Sequence, residues 1–136
     1  MNRDVILGVG FFILMGVGGV FLVRLNWRKI SVDEQRDEQR SRAWLLARHV
    51  ETGRARLKEA RAETSPERRA GLARQAVEAL SAAIAIEAGE AAVWADRAEA
   101  NLLLGPRDAA RRDLAEARRL QPDGNWSNLE KRCSAP

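Results

Sequence analysis

Sliding the chain against itself by 34 residues aligns Gly71 with Gly105, Ala76 with Ala110, Leu80 with Leu114, Ala83 with Ala117, and Ile86 with Leu120. Recurrence of small and large apolar residues in one order commits this part of the chain to stacked helical hairpins. Each pair of helices carries an apolar face that only a neighbouring pair can cover.

Punctuation along the chain divides it into helices and offers no strand. Ser31-Val32-Asp33-Glu34 has the form of a capping box, and the following stretch to residue 64 lacks proline and holds one glycine, Gly53. A long helix is expected there. Its first turns, from Asp33 to Arg40, repeat acids and arginines three or four residues apart, as a solvated helix places them. From Ala43 the small and apolar residues recur as Leu46, Val50, Gly53, Leu57 and Ala60, one face at steps of three and four. Packing of that face on the following helix is favoured over a coiled coil, because the stripe is short and includes glycine and alanine. Ser65-Pro66-Glu67 restarts the chain with a cap, a first-turn proline and an acid near the helix N-terminus. This helix is expected to run to about Glu87, with Gly89 as a left-handed stop. Further helices follow over Ala91 to Leu104, closed by Gly105-Pro106, and over Arg107 to Leu120, stopped by Gln121-Pro122-Asp123-Gly124. Trp126 to Arg132 suits a short cap or turn.

Residues 91 to 124 resemble one tetratricopeptide repeat. Trp94 occupies the aromatic slot, Ala98 the small slot, Gly105 the turn, Ala110 and Ala117 the small positions of the second helix, Leu114 the large apolar slot and Pro122 the terminator. Two slots depart from the pattern: Arg97 stands where leucine is usual and Asn101 where tyrosine is usual, so a polar or displaced core is expected there. Upstream the likeness extends to a second helix, Leu72 to Ile86, while its first helix would fall at Leu57 to about Glu63 and is degenerate. The resemblance implies an all-α fold with a short antiparallel array of tetratricopeptide-like helices. It also implies recognition of partner proteins on a concave face, which in the clear repeat maps onto Ala92, Ala95, Asp96, Glu99, Leu102 and Leu103. Acids beside leucines there would suit a basic, partly apolar segment, unless these residues simply cover the preceding helix.

Ahead of the helices lie nineteen residues, 5 to 23, without a charged or polar side chain beyond glycine. As a helix this run would span roughly 30 Å, the thickness of a bilayer core. No signal-peptide cleavage site follows it; Trp27, Arg28 and Lys29 instead have the make-up of an interfacial anchor. Within the run Gly8, Gly16 and Gly19 fall near one helical face and would permit helix packing. The expected organisation is a single transmembrane anchor with its flank over 1–29, a stalk helix over 30–64, repeats over 65–124 and a cap with a frayed tail over 125–136. Basic residues after the run outnumber those before it, which predicts a single-pass protein of the cell membrane, the inner membrane of a bacterium, with its C-terminal domain cytoplasmic.

Chemistry is harder to find. His49 is the sole histidine and Cys133 the sole cysteine, and no nucleophile, base and orienting acid assemble from the sequence. Neither catalysis, nor a metal, nor a cofactor is expected. Of the net charge of +4, +3 sits in residues 1–29, acids interleave the later arginines, and no nucleic-acid partner is expected. The expected function is a membrane-tethered interaction module that binds or scaffolds a partner at the membrane surface. The alternative is a single-span accessory subunit of a larger membrane complex. Expected partners are other proteins, membrane-associated ones first, and the lipid bilayer; a hetero-complex and a homo-oligomer both fit.

Overall fold

The computed structural model describes residues 34–135. The apolar run 5–23 with Gly8, Gly16 and Gly19, the flank Trp27, Arg28 and Lys29, and Ser31 of the capping box lie outside the described residues. The expectation of a single-pass cell-membrane protein with a cytoplasmic C-terminal domain is corrected: among the described residues no helix is long and apolar enough to cross a membrane. The physical reason is composition, since every one of these helices carries charged side chains along its exposed face.

The chain divides into two units, Met1–Ser41 and Arg42–Pro136. In the first, residues 34–41 are helical and exposed, with an ion pair between Arg40 and Asp37 at 3.7 Å. The second is all-helical among the described residues. Helix α1 covers residues 42–62, α2 Pro66–Ile86, α3 Ala91–Leu104, α4 Arg107–Leu120 and α5 Ser127–Ser134. The turn between α1 and α2 is built by Glu63, whose carboxylate accepts the backbone N–H groups of Thr64 (2.9 Å) and Ser65 (3.0 Å). Those bonds to the charged form, the Ser65 one foremost, hold its pKa below the ordinary glutamate value. Ser65 then takes the N-cap position of α2 without a side-chain cap bond, its hydroxyl donating to Glu67 Oε2 at 3.0 Å, and Pro66 lies in the first turn. Gly105 ends α3 with φ of 102°, and its N–H bonds back to the Asn101 and Leu102 carbonyls. Gly89 is not left-handed, and Gly71 lies inside α2, so the alignment of Gly71 with Gly105 has no structural counterpart.

The apolar stripe of α1 is buried from Val50 through Gly53, Leu57 and Ala60; Leu46 is half-buried and Ala43 exposed. Val50 shares a core cluster with Leu80, Ala83 and Val93, and Leu57 shares one with Ala76 and Ala100. Helix α1 therefore packs between α2 and α3. A Cβ on Gly53 would sit 2.6 Å from Leu80 Cγ, so the absence of a side chain is what admits the leucine. In the next hairpin Ala98 shares a cluster with Ala110, Leu114 and Cys133, closed from outside by Leu102, Trp126 and Leu129. The 34-residue register is visible in burial: Ala76, Leu80 and Ala83 of α2 are buried, as are Ala110, Leu114 and Ala117 of α4.

Register fails in the first helix for a simple reason. Helix α2 has 21 residues and α4 has 14, so the turn before α2 lies farther upstream than a 34-residue repeat would put it. The helix that pairs with α2 is α1 itself, not a short segment starting at Leu57.

Candidate partner-binding face

Ion pairs stitch α1, α3 and α5 together across one face. From α1, Arg54 Nε–H donates to Asp96 at 2.7 Å and its Nη2 lies 3.4 Å from Glu90, while Arg61 Nε–H donates to Glu99 at 3.0 Å. From α5, Arg132 donates to the same Glu99 at 2.6 Å. Two guanidinium groups thus share one carboxylate, leaving a surplus of positive charge around it. Two of the three carboxylates sit deeper than the cations: Asp96 and Glu99 expose 24% and 18% of their side chains, against 47%, 49% and 42% for Arg54, Arg61 and Arg132, while Glu90 at 46% is as exposed as Arg54.

Burial pushes the Glu99 carboxyl upward, but hydrogen bonds from Arg61 and Arg132 outweigh it and the pKa lies below the ordinary glutamate value. The hydrogen bond to Asp96 raises Arg54 further, so the cation is permanent.

Of the residues expected on this face, Ala92 is exposed and Ala95 half-buried, whereas Asp96 and Glu99 are engaged by arginines of the same chain. Leu102 packs against the cluster of Ala98 and Leu114, and Leu103 against that of Leu57 and Ala100. His49 is half-buried on α1 and joins none of these pairs. The arginines were missed because each is unremarkable in its own helix. Arg54 and Arg61 are seven residues apart, two turns of α1, and this spacing is the one local hint that they share a face.

Behind the face lies a buried polar network. Arg97 donates from Nε and Nη2 to the two oxygens of Asp113, at 3.0 and 2.6 Å, and from Nη1 to Ser81 Oγ at 3.0 Å. Asn101 Nδ2 donates to the same aspartate at 3.0 Å. The guanidinium also stacks on Trp94, 4.8 Å from the ring centroid, and the Trp94 indole N–H is held by the Ala88 carbonyl at 2.9 Å. Asp113 is 5% exposed, and no buried side-chain polar atom among the described residues lacks a partner. The two slots that depart from the repeat pattern, 97 and 101, therefore meet at one carboxylate. That carboxylate falls on the buried stripe of α4 between Ala110 and Leu114, a position where a charge requires a partner.

Helix α5 is fastened by its backbone. Its last carbonyls accept from α4: Cys133 from Arg111 Nε–H at 3.2 Å, and Ala135 from Arg107. Gly124 lies where a Cβ would collide with the Trp126 ring, which folds back so that its N–H reaches the Gln121 carbonyl at 3.0 Å. Burial pushes the Cys133 thiol up against the opposing pull of Arg111 and Arg132, which leaves it un-ionised at neutral pH.

Comparison with protein-family models, with curated proteins and with solved structures finds no match for this chain.

Proposed function

We propose that the chain is a protein–protein interaction module built from two tetratricopeptide-like hairpins and a cap helix, and that it binds an acidic segment of a partner protein along α1, α3 and α5. The family reading rests on the sequence resemblance and is supported by two stacked hairpins, each closed on a small residue, Gly53 or Ala98, facing a leucine. The polarity of the ligand is carried by one observation. On the face linking the three helices Asp96 and Glu99 are tucked inward, the guanidinium groups of Arg54, Arg61 and Arg132 are half exposed, and Glu90 is as exposed as Arg54. At Glu99 an incoming chain meets Arg61 and Arg132 before the carboxylate, so an acidic segment fits there better than the basic one suggested by the acids of α3 alone.

Guanidinium groups held in place by fixed carboxylates lose little freedom when a ligand arrives, which favours recognition. The full-length chain would be titrated with fluorescein-labelled peptides alternating leucine with glutamate, glutamine or lysine. Binding of the glutamate peptide, weakened by salt and by Arg54→Gln or Arg132→Gln, is expected. Equal or tighter binding of the lysine peptide would overturn the reading.

A further inference from the structure

Helix α1 buries one face and leaves another open. Leu46, Val50, Gly53, Leu57 and Ala60 turn toward α2 and α3, while Trp44, Ala47, Arg48, Glu51 and Ala55 are exposed. Trp44 is the most exposed large apolar side chain among the described residues, at 59%. Beside it runs a groove of about 670 Å³ whose lining joins the apolar Ala43, Leu46, Ala47 and Ala55 to the charged Glu51, Arg54, Lys58 and Glu90. Tryptophan so exposed on a helix adds little to the stability of its own fold and much to an interface.

Positions 44, 48, 51 and 55 advance by four, three and four residues and so form one stripe on α1. In chain order the stripe presents a large aromatic, a cation, an anion and a small residue. Reversed, it presents small, anion, cation and aromatic. Each member of the stripe thus meets its complement when the stripe is laid antiparallel on itself, large against small and positive against negative. Within one chain Arg48 lies over the Trp44 ring at 5.2 Å, and Glu51 has no ion-pair partner among the described residues.

We propose that α1 pairs antiparallel with α1 of a second copy of this chain, about a two-fold axis crossing the helix between positions 49 and 50. Trp44 then lies over Ala55 of the second copy and Arg48 faces Glu51 of the second copy, with both contacts repeated by symmetry. A two-fold interface demands this reciprocity, residue i on j and j on i. An unrelated partner places no such palindromic demand on the stripe, which is why the second copy is the occupant the surface favours. None of Trp44, Arg48, Glu51 and Ala55 belongs to the ion pairs that link α1, α3 and α5, so exchanging the charges of the stripe leaves those pairs in place.

Sedimentation velocity of the full-length chain, up to about 100 µM, tests it with charge exchange. Arg48→Glu alone and Glu51→Arg alone each place like charges across the axis and should weaken dimerisation about tenfold or more. An equimolar mixture of the two variants should form a heterodimer as readily as the unsubstituted chain forms its dimer, and the double variant should self-associate again. Trp44→Ala should also weaken the dimer. All these side chains are exposed, so circular dichroism should be unchanged and a folding failure would be recognised at once. A chain that stays monomeric over this range, a dimer indifferent to the single exchanges, or a mixture that fails to associate would each overturn the proposal.

Discussion

The two hairpins solve the same packing problem with opposite materials. Between α1 and α2 the helices meet at Gly53, and the space is filled by Leu80 with Val50, Ala83 and Val93 around it, all apolar. Between α3 and α4 the small-residue contact of Ala98 with Ala110 and Leu114 is retained, but one turn away Arg97 and Asn101 converge on Asp113. An apolar contact is tolerant: deleting atoms leaves a cavity whose cost depends on how far neighbours relax. A buried charge pair is brittle, since removing one member strands the other without water or partner. Similar helix geometry therefore predicts different responses to substitution.

The largest expected effect is in the second hairpin. Asp113→Ala removes the acceptor of three N–H donors at once, two on Arg97 and one on Asn101, and should destabilise the chain by about 3–5 kcal/mol, read from the midpoint of urea unfolding. Joint replacement of the three polar residues, Arg97→Met with Asn101→Leu and Asp113→Leu, should recover most of that loss. A triple variant as unstable as Asp113→Ala alone would mean that the network cannot be exchanged for an apolar core.

In the first hairpin, Leu80→Ala should cost about 2–5 kcal/mol, as expected for a fully buried leucine. Gly53→Ala is more discriminating. Alanine gains about 1 kcal/mol of helix propensity over glycine, but its Cβ would press on Leu80, and overpacking typically costs about 1–3 kcal/mol. The net change should be a loss of about 1 kcal/mol in the unsubstituted chain and a gain of similar size in the Leu80→Ala background. Two losses that simply add would remove the close contact as the reason for glycine.

Legibility of the fold in the sequence follows the same division. The stripe from Leu46 to Ala60, the helices Ala91 to Leu104 and Arg107 to Leu120, and the buried set shared by α2 and α4 can be read directly, because apolar period and caps are local properties. The packing of α1 on α2 follows from that stripe as well, whereas the place of the turn between them does not, since a longer hairpin keeps the period within each helix while shifting the turn that relates them. The polar core is half visible: Arg97 and Asn101 stand out as departures from the repeat, while Asp113 looks like one more acid among arginines until its neighbours Ala110, Leu114 and Ala117 are recognised as buried. Of the arginine-rich face the sequence shows only the seven-residue spacing of Arg54 and Arg61 on α1, because Arg132 comes from a helix far along the chain and all three meet Asp96 and Glu99 only in three dimensions.

The smallest effect concerns the joint between the hairpins. Glu99 of α3 ties α1 through Arg61 and α5 through Arg132, and its pKa is lowered in the folded chain. A carboxylate with a depressed folded pKa contributes stability that is complete above its unfolded value and is lost as pH falls through the folded value. The loss should therefore appear on the acid side, below the ordinary glutamate value of 4.5, with none near neutrality. Both arginines are about half exposed, so solvent screening limits the contribution to about 0.5 kcal/mol, and added salt should reduce it further. Urea midpoints measured from about pH 6 down to about pH 3 should fall more steeply for the unsubstituted chain than for Glu99→Gln, which has no proton to take up at that site. Parallel curves would locate the acid sensitivity elsewhere and leave the hairpins joined by their apolar contacts alone, through Val93 and Ala100 of α3 against Val50 and Leu57 of α1.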